Sequence, residues 1–282
     1  MKIKKGFKKK GNDILLYFFL ICFSAVSIIP FLSMIATAMT PHSYTMPYPP
    51  KILPDELYFQ NFIDAWNSNN FGRYFFNSIF VSVVSTLIII LVSCMSAYGF
   101  ARMQFPGKNF LFYLLMFSMM VPTVTNLVSI FLLMKNIHLV DSYMGLILVY
   151  VGTGIASNTF FLRSFFLSFP RELEEAVIID GGGHWTIFTR IVLPLSAPSI
   201  GTFAILAFSN VWDEFLFALT LIKTSEKRTL PIALKLFQGQ HLNDWSLIFA
   251  ASLIAVVPIL LIYIIMQKKL IRGGIMTGSV KG

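Results

Sequence analysis

The sequence predicts an all-α integral membrane protein with six transmembrane helices. Of its 282 residues, 56% are hydrophobic and only 12% are charged, whereas an average soluble domain carries about a quarter charged residues. The charged residues lie in clusters between long uncharged runs, and these runs do not alternate between apolar and polar residues as the strands of a membrane barrel would. Because lipid offers backbone groups no external hydrogen-bond partner, such runs are expected to be helices.

Six runs lack Asp, Glu, Lys and Arg, and each reaches the roughly 20 residues that a helix needs to cross a bilayer. They are residues 14–39, 74–101, 109–134, 142–162, 191–212 and 245–267. The first run follows a cluster of lysines and so imitates a signal peptide. Its apolar stretch is longer than the roughly 7 to 15 residues of a signal peptide, so we expect an uncleaved first helix.

The distribution of basic residues predicts the orientation. With the N-terminus inside, 15 of the 22 Lys and Arg residues fall in inner segments and 7 in outer segments. By the positive-inside rule, both termini are expected in the cytoplasm. The predicted divisions are a basic cytoplasmic N-terminus (1–13), a first transmembrane helix (14–39), an external loop (40–73), a core of five helices (74–270) and a cytoplasmic tail (271–282). Topology accounts for the positive charge, so no nucleic-acid partner is expected.

The inner segment 170–198 carries the most information. Pro170 and the acids that follow it favour a helix start, and three glycines from Gly181 stop the helix. The position after Asp180 commonly takes a left-handed backbone, which Gly181 suits. Apolar residues then repeat at helical spacing until Leu193-Pro194, which we expect to end a second helix. The segment is thus predicted to be a helix, a glycine turn and another helix.

This segment resembles the EAA loop of ABC-importer permeases. The resemblance rests on Glu175-Ala176-Val177, on Gly181 after three further residues, and on Ile191-x-Leu193-Pro194 after nine more. Val177 departs from the second alanine of the family's triplet. Other segments are similar to the sugar-importing branch, and most of all to the shorter permease subunit of the maltose-transporter type. These are Asn77-Ser78, residues 97–102, 105–108, Val121-Pro122, 212–215, Thr229-Leu230-Pro231 and 267–282.

The resemblance implies an ABC-importer permease fold with a cytoplasmic EAA coupling helix. It also implies an ATP-driven importer in a bacterial cell membrane, which moves a sugar or oligosaccharide delivered by an extracytoplasmic binding protein. The implied partners are a second homologous permease and two ATPase subunits that hold ATP and Mg. Expected coupling residues are Glu175, Ala176, Asp180, Gly181, Ile191, Leu193 and Pro194, with charged contacts from Arg171, Glu172 and Glu174. An alternative for this segment is an amphipathic element lying on the inner leaflet.

The chain itself is not expected to be an enzyme. Its one Gly-Lys pair, Gly107-Lys108, lacks the flanking residues of the phosphate-binding GxxxxGK[ST] loop, so ATP hydrolysis is expected on another polypeptide. The four histidines lie outside the uncharged runs and form no HExxH motif. Cys22 and Cys94 lie within the runs, where cysteine behaves as a small apolar residue. No metal or cofactor is therefore expected in this chain.

Polar residues at membrane depth are candidates to line a pathway, because such groups should face protein or water rather than lipid. The candidates are Asn126, Ser129, Asn210, Trp212 and Asp213. Asp213 and Glu214 could equally be structural acids at the outer water boundary. The outer loops could receive the binding protein or be plain linkers.

Two other functions stay open at this point. An ion-coupled secondary carrier usually needs buried ionisable groups or broken helices near the midplane, and the uncharged runs contain no charged residue. A membrane scaffold without transport of its own would have the same composition. Copurification with an ATPase and a second permease in fixed ratio would distinguish an importer subunit from a scaffold.

Overall fold

A computed structural model describes residues 3–41, 49, 51–54, 56–240 and 244–279. The described residues contain helices and their connections and no strand. The α-helices are α1 (Ile3–Ala38), α2 (Gln60–Asn67), α3 (Phe71–Arg102), α4 (Lys108–Ser118), α5 (Leu127–Asn136), α6 (Tyr143–Leu167), α7 (Glu172–Ile179), α8 (His184–Ile187), α9 (Leu193–Trp212), α10 (Leu216–Leu221), α11 (Leu230–Gln240) and α12 (Trp245–Ser279). The prediction of an all-helical chain is confirmed.

Five helical stretches of the described chain are long and apolar enough to cross a membrane. They are Leu15–Ala38, Phe71–Arg102, Tyr143–Leu167, His184–Trp212 and Trp245–Ile265. A sixth crossing arises only if α4 and the bent continuation Thr123–Asn136 count as one span. The predicted number of six is therefore the upper bound of five to six.

The prediction of one continuous helix over residues 109–134 is wrong. α4 ends at Ser118, helical structure resumes at Thr123, and the two parts meet at an angle of 92°. Pro122 explains the break, because proline lacks an N–H and disfavours helical geometry at the residue before it. Its own backbone is extended, with φ −59° and ψ 129°.

The chain forms two units, of which the first comprises residues 1–71 and 234–255. In this unit the most apolar part of α1 is exposed along its length. Asn61 of α2 ties the helix to the end of α1, since its side-chain amide donates to the carbonyls of Ala38 (2.8 Å) and Thr40 (2.9 Å). Phe71 and Phe237 pack edge to face with ring centroids 6.2 Å apart.

The second unit comprises residues 72–233 and 256–282 and contains two hydrophobic clusters. One cluster joins the first half of α3 to the first half of α6, the end of α9 and α10. The other joins the last turns of α3 and α6 to the helical residues after α8. Because α3, α6 and α9 contribute side chains to both clusters, these helices connect the ends of this unit.

The segment between α10 and α11, residues 222–229, is fastened to the start of α3. The amide of Asn77 donates to the carbonyls of Glu226 and Arg228, both at 2.9 Å. The Ser78 hydroxyl accepts a hydrogen bond of 2.7 Å from the Leu230 N–H. These contacts bring together two segments, Asn77-Ser78 and Thr229-Leu230-Pro231, that are about 150 residues apart in the chain.

Asp141, in the connection between α5 and α6, holds the same segment from another side. Its carboxylate accepts hydrogen bonds from the backbone N–H groups of Lys223 and Thr224, both at 2.9 Å, and from the Thr224 hydroxyl at 2.5 Å. Lys227 lies 3.4 Å from it and forms an ion pair. Partial burial acts to raise the pKa of Asp141, but the hydrogen bonds from Thr224, Lys223 and Lys227 outweigh it and hold the pKa below its ordinary range.

Candidate functional site

The first candidate site is the segment 170–198, which forms the predicted helix, glycine turn and helix. α7 spans Glu172–Ile179 and carries Glu172, Glu174 and Glu175 in its first turn, where the helix dipole favours acids. α8 follows at His184. This confirms the predicted order of elements.

Gly181 has the predicted left-handed backbone, with φ +81°. Its N–H donates to the Ile178 carbonyl at 2.9 Å, and the N–H of Gly182 donates to the Val177 carbonyl at 2.8 Å. This pair of hydrogen bonds is a Schellman motif, which satisfies the last carbonyls of a helix. The turn therefore fixes the direction in which the chain leaves α7.

Gly182 is required for a different reason. A Cβ atom there would lie 2.5 Å from Cγ1 of Val177 and 3.0 Å from the Val177 carbonyl oxygen. A Cβ at Gly181 or at Gly183 would have no neighbour within 4 Å. The valine that replaces the second alanine of the triplet thus leaves no room for a side chain at position 182.

The expectation that Pro194 ends the second helix is wrong. After α8 the chain passes through a π-helical turn, Phe188–Val192, and continues directly into α9, where Pro194 lies in the first turn. Proline cannot donate the usual hydrogen bond four residues back. The wider π turn just before it accommodates that missing bond, as such single turns do inside α-helices. The helical stretch therefore runs without a stop from His184 to Trp212.

Arg102, the last residue of α3, anchors α7. Its Nε atom lies 2.8 Å from Oε1 of Glu174, and the two side chains are only 4% and 16% exposed. One Nη2 atom also donates to the carbonyls of Phe166 and Phe169, both at 2.7 Å, at the end of α6. A single guanidinium group thus joins α7 to the ends of α3 and α6.

The second arm of the segment is anchored to α3 by Tyr98, one turn before Arg102. The Tyr98 hydroxyl lies 3.3 Å from Nδ1 of His184, and its ring is 5.1 Å from that of Phe188. Phe188 is buried in the cluster shared by α3 and α6. Both arms are therefore held by the final turns of one helix.

The face of the segment turned away from these anchors is exposed and partly apolar. Ile179 is 85% exposed, Trp185 66% and Ile178 56%. Of the predicted coupling residues, those exposed are Arg171, Glu172, Glu175, Ala176, Asp180, Gly181 and Pro194, whereas Glu174, Ile191 and Leu193 are half-buried. Glu174 faces Arg102 of the same chain.

The second candidate site is a pair of cavities in the second unit, whose lining is more apolar than polar. The first has a volume of about 300 Å³ and is lined by α6, by the end of α9 and by the residues after the break at Pro122. Its polar lining residues are Thr123, Tyr150, Thr153, Ser157, Asn158, Asn210 and Glu214. The other has a volume of about 490 Å³ and shares Thr123, Thr153 and Ser157 with the first. Irregular backbone at membrane depth is tolerated where it lines such a cavity.

Glu214 is held in place inside the first cavity. The Tyr150 hydroxyl donates to it at 2.7 Å, and so do the backbone N–H groups of Phe217 (2.8 Å) and Ala218 (3.1 Å). The carboxylate therefore caps the start of α10 and does not need a basic partner. Neither cavity is lined by a Lys, Arg or His residue.

Only part of the predicted pathway set lines these cavities. Asn210 lines the first and Asn126 the second. Ser129 and Asp213 are exposed and line neither. Trp212 lines neither cavity, because it is 3% exposed and stacks on Phe208 with ring centroids 5.7 Å apart. Its place on a pathway stays a prediction.

Sequence reasoning missed the polar face of α6. Tyr150, Thr153 and Ser157 stand at positions i, i+3 and i+7, which lie on one side of a helix. All three line the first cavity, together with Asn158. This spacing is visible within the run 142–162 and could have identified the face.

Both candidate sites lie within a stretch that matches a known protein family. Residues 89–273 match the family model described as a binding-protein-dependent transport system inner membrane component. The chain is 32% identical over 264 residues to the diacetylchitobiose uptake system permease protein NgcG of Streptomyces coelicolor, covering 93% of this chain and 87% of that protein. It is 34% identical over 230 residues to the arabinooligosaccharides transport system permease protein AraQ of Bacillus subtilis, covering 81% of each.

Among solved structures, the fold matches a chain in the crystal structure of a bacterial ABC transporter involved in the import of the acidic polysaccharide alginate. The TM-score is 0.76 and the match covers 95% of this chain and 98% of the other. Sequence identity is 21%, so the likeness concerns the fold alone.

Proposed function

We infer the cargo and the partners of this chain from its family, because it belongs to the binding-protein-dependent transport system inner membrane components. It is a multi-pass inner-membrane permease subunit of an ABC importer, and such subunits do not hydrolyse ATP themselves. The cargo is a sugar or an oligosaccharide. Relatives named for diacetylchitobiose and arabinooligosaccharides support this, as do the hydroxyl and amide groups among the lining residues of the first cavity.

Both termini lie in the cytoplasm in this proposal. The segment 170–198 then faces the cytoplasm, and the segment 222–229 faces the outside, where an extracytoplasmic binding protein delivers the sugar. A cysteine at Ser279 should be protected from impermeant thiol reagents in intact cells, whereas one at Asn67 should react. Labelling of the Ser279 position without lysis would overturn this orientation.

The exposed face of the segment 170–198 docks onto one of two ATPase subunits, which bind ATP and Mg. Its apolar side chains Ile178, Ile179 and Trp185 supply the contact area, with Glu175 and Ala176 beside them. Arg171 and Glu172 supply charged contacts at the edge. Glu174 holds α7 in place through Arg102 instead of reaching the partner.

The sugar passes through a path formed with a second homologous permease. In this chain the path follows the two cavities, past Asn126, Thr153, Ser157 and Asn210. Asp213 and Ser129 lie outside the cavities in this conformation, and in this proposal they belong to the mouth of the sugar path. Closure of the ATPase subunits moves the segment 170–198 and switches the helices between inward-open and outward-open states.

The observation that carries this proposal is a rigidly anchored loop with an apolar exposed face. Ile179→Ser should weaken retention of the ATPase subunits when the complex is purified in detergent. Leu53→Ser is the matched control, because Leu53 is 78% exposed but lies in the external loop. The few side chains that anchor an interface each contribute more than about 1 kcal/mol, so roughly fivefold weaker retention is expected if Ile179 is one of them. If Ile179→Ser and Leu53→Ser retain the ATPases equally, this face is not the docking surface.

A further inference from the structure

Arg102, the last residue of α3 and of the segment 97–102, contacts both α7 and the end of α6. Its guanidinium group is almost fully buried, pairs with Glu174 of α7 and donates to two carbonyls at the end of α6. Buried arginines are rare unless paired, because removing the charge from water is costly. A buried guanidinium group at the junction of three helices therefore indicates a specific function for this residue.

We propose that Arg102 is a positioning residue for energy coupling: it fixes α7 to the ends of α3 and α6, so that a displacement of α7 moves both spanning helices together. This inference rests on the proposed docking of α7 onto an ATPase. The planar guanidinium suits the task because it presents several donors in fixed directions, which a lysine ammonium does not.

Both spanning helices that Arg102 joins contribute to the lining of the first cavity. α6 contributes Tyr150, Thr153, Ser157 and Asn158 to the first cavity, and α3 contributes Ile89. A movement imposed at the end that carries Arg102 therefore reaches the cavity along rigid helices. Asn77 and Ser78 hold the segment 222–229 at the other end of α3, so the same helix also reaches the opposite side of the unit.

Arg163 provides the matched control. It also lies near the end of α6, where its Nε donates to the Phe100 carbonyl at 3.1 Å and its guanidinium carbon lies 4.2 Å from the centre of the Phe112 ring. These contacts join α6 to α3 and α4. No described contact of Arg163 reaches α7, so Arg163→Gln removes the same charge and leaves the α7 junction intact.

The test measures ATP-driven movement at the cavity without any sugar. A cysteine at Ser157, in a chain whose Cys22 and Cys94 are replaced by serine, is labelled with a thiol reagent in the complete complex with its ATPases. Labelling is compared without nucleotide and after trapping with ATP, Mg and vanadate. For the unaltered Arg102 we expect the labelling rate to change at least fivefold between the two states.

Arg102→Gln should reduce that change to less than twofold while ATP hydrolysis stays within twofold of the parent, and Arg163→Gln should preserve the change. If Arg102→Gln does not assemble, the same ratio of labelling rates is measured in Glu174→Gln. This variant removes the ion pair and leaves Arg102 bonded to the Phe166 and Phe169 carbonyls. The inference is overturned if the assembled variant keeps the parent's ratio of labelling rates between the two nucleotide states. It is also overturned if Arg163→Gln lowers that ratio as much as the variant does. Absence of ATPase subunits from the parent complex would instead refute the docking proposal.

Discussion

Two adjacent glycines of the segment 170–198 should fail for different physical reasons when replaced by alanine. At Gly181 the backbone is left-handed and space is open, so alanine there carries only backbone strain of about 1 to 2 kcal/mol. At Gly182 a Cβ would lie 2.5 Å from Val177 Cγ1, and such overpacking costs about 1 to 3 kcal/mol. About 1.4 kcal/mol corresponds to a factor of ten in affinity. Both variants should therefore bind the ATPases more weakly, by several-fold up to more than tenfold.

Second substitutions separate the two causes. Val177→Ala removes the methyl group that collides with a side chain at Gly182, so Gly182→Ala should bind the ATPases better in the Val177→Ala chain than in the parent. The rescue is partial, because the Val177 carbonyl oxygen would still lie 3.0 Å from the new Cβ. Gly181→Ala should gain nothing from Val177→Ala. Gly181→Asn should be milder than Gly181→Ala, since asparagine tolerates the left-handed region.

The assay is the fraction of ATPase subunits retained after detergent purification, with the amount of inserted permease measured alongside. Gly183→Ala is the internal control, because its φ is −97° and a Cβ there has no neighbour within 4 Å. It should retain the ATPases as the parent does. The reasoning is refuted if Gly183→Ala is as harmful as Gly181→Ala, or if Val177→Ala rescues Gly181→Ala and Gly182→Ala equally.

Three further predictions concern Asp141, the cavities and the proposed mouth of the path. The pKa of Asp141 is lowered in the folded protein, so its charged form stabilises the fold above the unfolded pKa of about 4. The melting temperature of the parent should exceed that of Asp141→Asn at pH 7, and the difference should shrink as the pH falls from 5 to 3; a difference independent of pH would contradict this. Uptake is measured with labelled arabinotriose or diacetylchitobiose, whichever the parent imports. Ser157→Leu should lower this uptake tenfold or more, because the leucine side chain fills space at a residue that lines both cavities. Asp213→Ala at the proposed mouth should lower uptake tenfold at most, since one hydrogen bond contributes about 0.5 to 1.5 kcal/mol. Equal effects of Ser157→Leu and Asp213→Ala would contradict the path through the cavities.

Local rules predicted the parts of this molecule that depend on neighbouring residues in the chain. The apolar runs located the spanning helices, and Gly181 was placed in the left-handed region from its position after a short helix. Pro122 indicates the break after α4, yet the length of the uncharged run 109–134, 26 residues, predicts one continuous helix. Length and apolarity report how much chain can lie in lipid, but they do not report whether its backbone is continuous.

Pro194 shows the opposite failure. Taken alone, proline predicts the end of a helix, but the chain widens into a π turn at Phe188–Val192 and continues. Packing decides between these outcomes, because Phe188 and Val192 are buried against the ends of α3 and α6. Burial of these side chains favours a continuous helix, and its contribution exceeds the cost of one missing hydrogen bond.

Contacts between distant residues lay beyond local rules altogether. Nothing near Asn77 in the sequence indicates that it binds the carbonyls of Glu226 and Arg228, and nothing near Arg102 indicates Glu174. These three polar contacts share a feature, since each joins an end of a spanning helix to a connecting segment. Apolar side chains in a membrane can slide against one another at little cost, whereas a buried polar pair has one arrangement that satisfies its hydrogen bonds. Such pairs therefore fix the register between helices and loops, as the buried pair of Arg102 and Glu174 does for the end of α3 and α7.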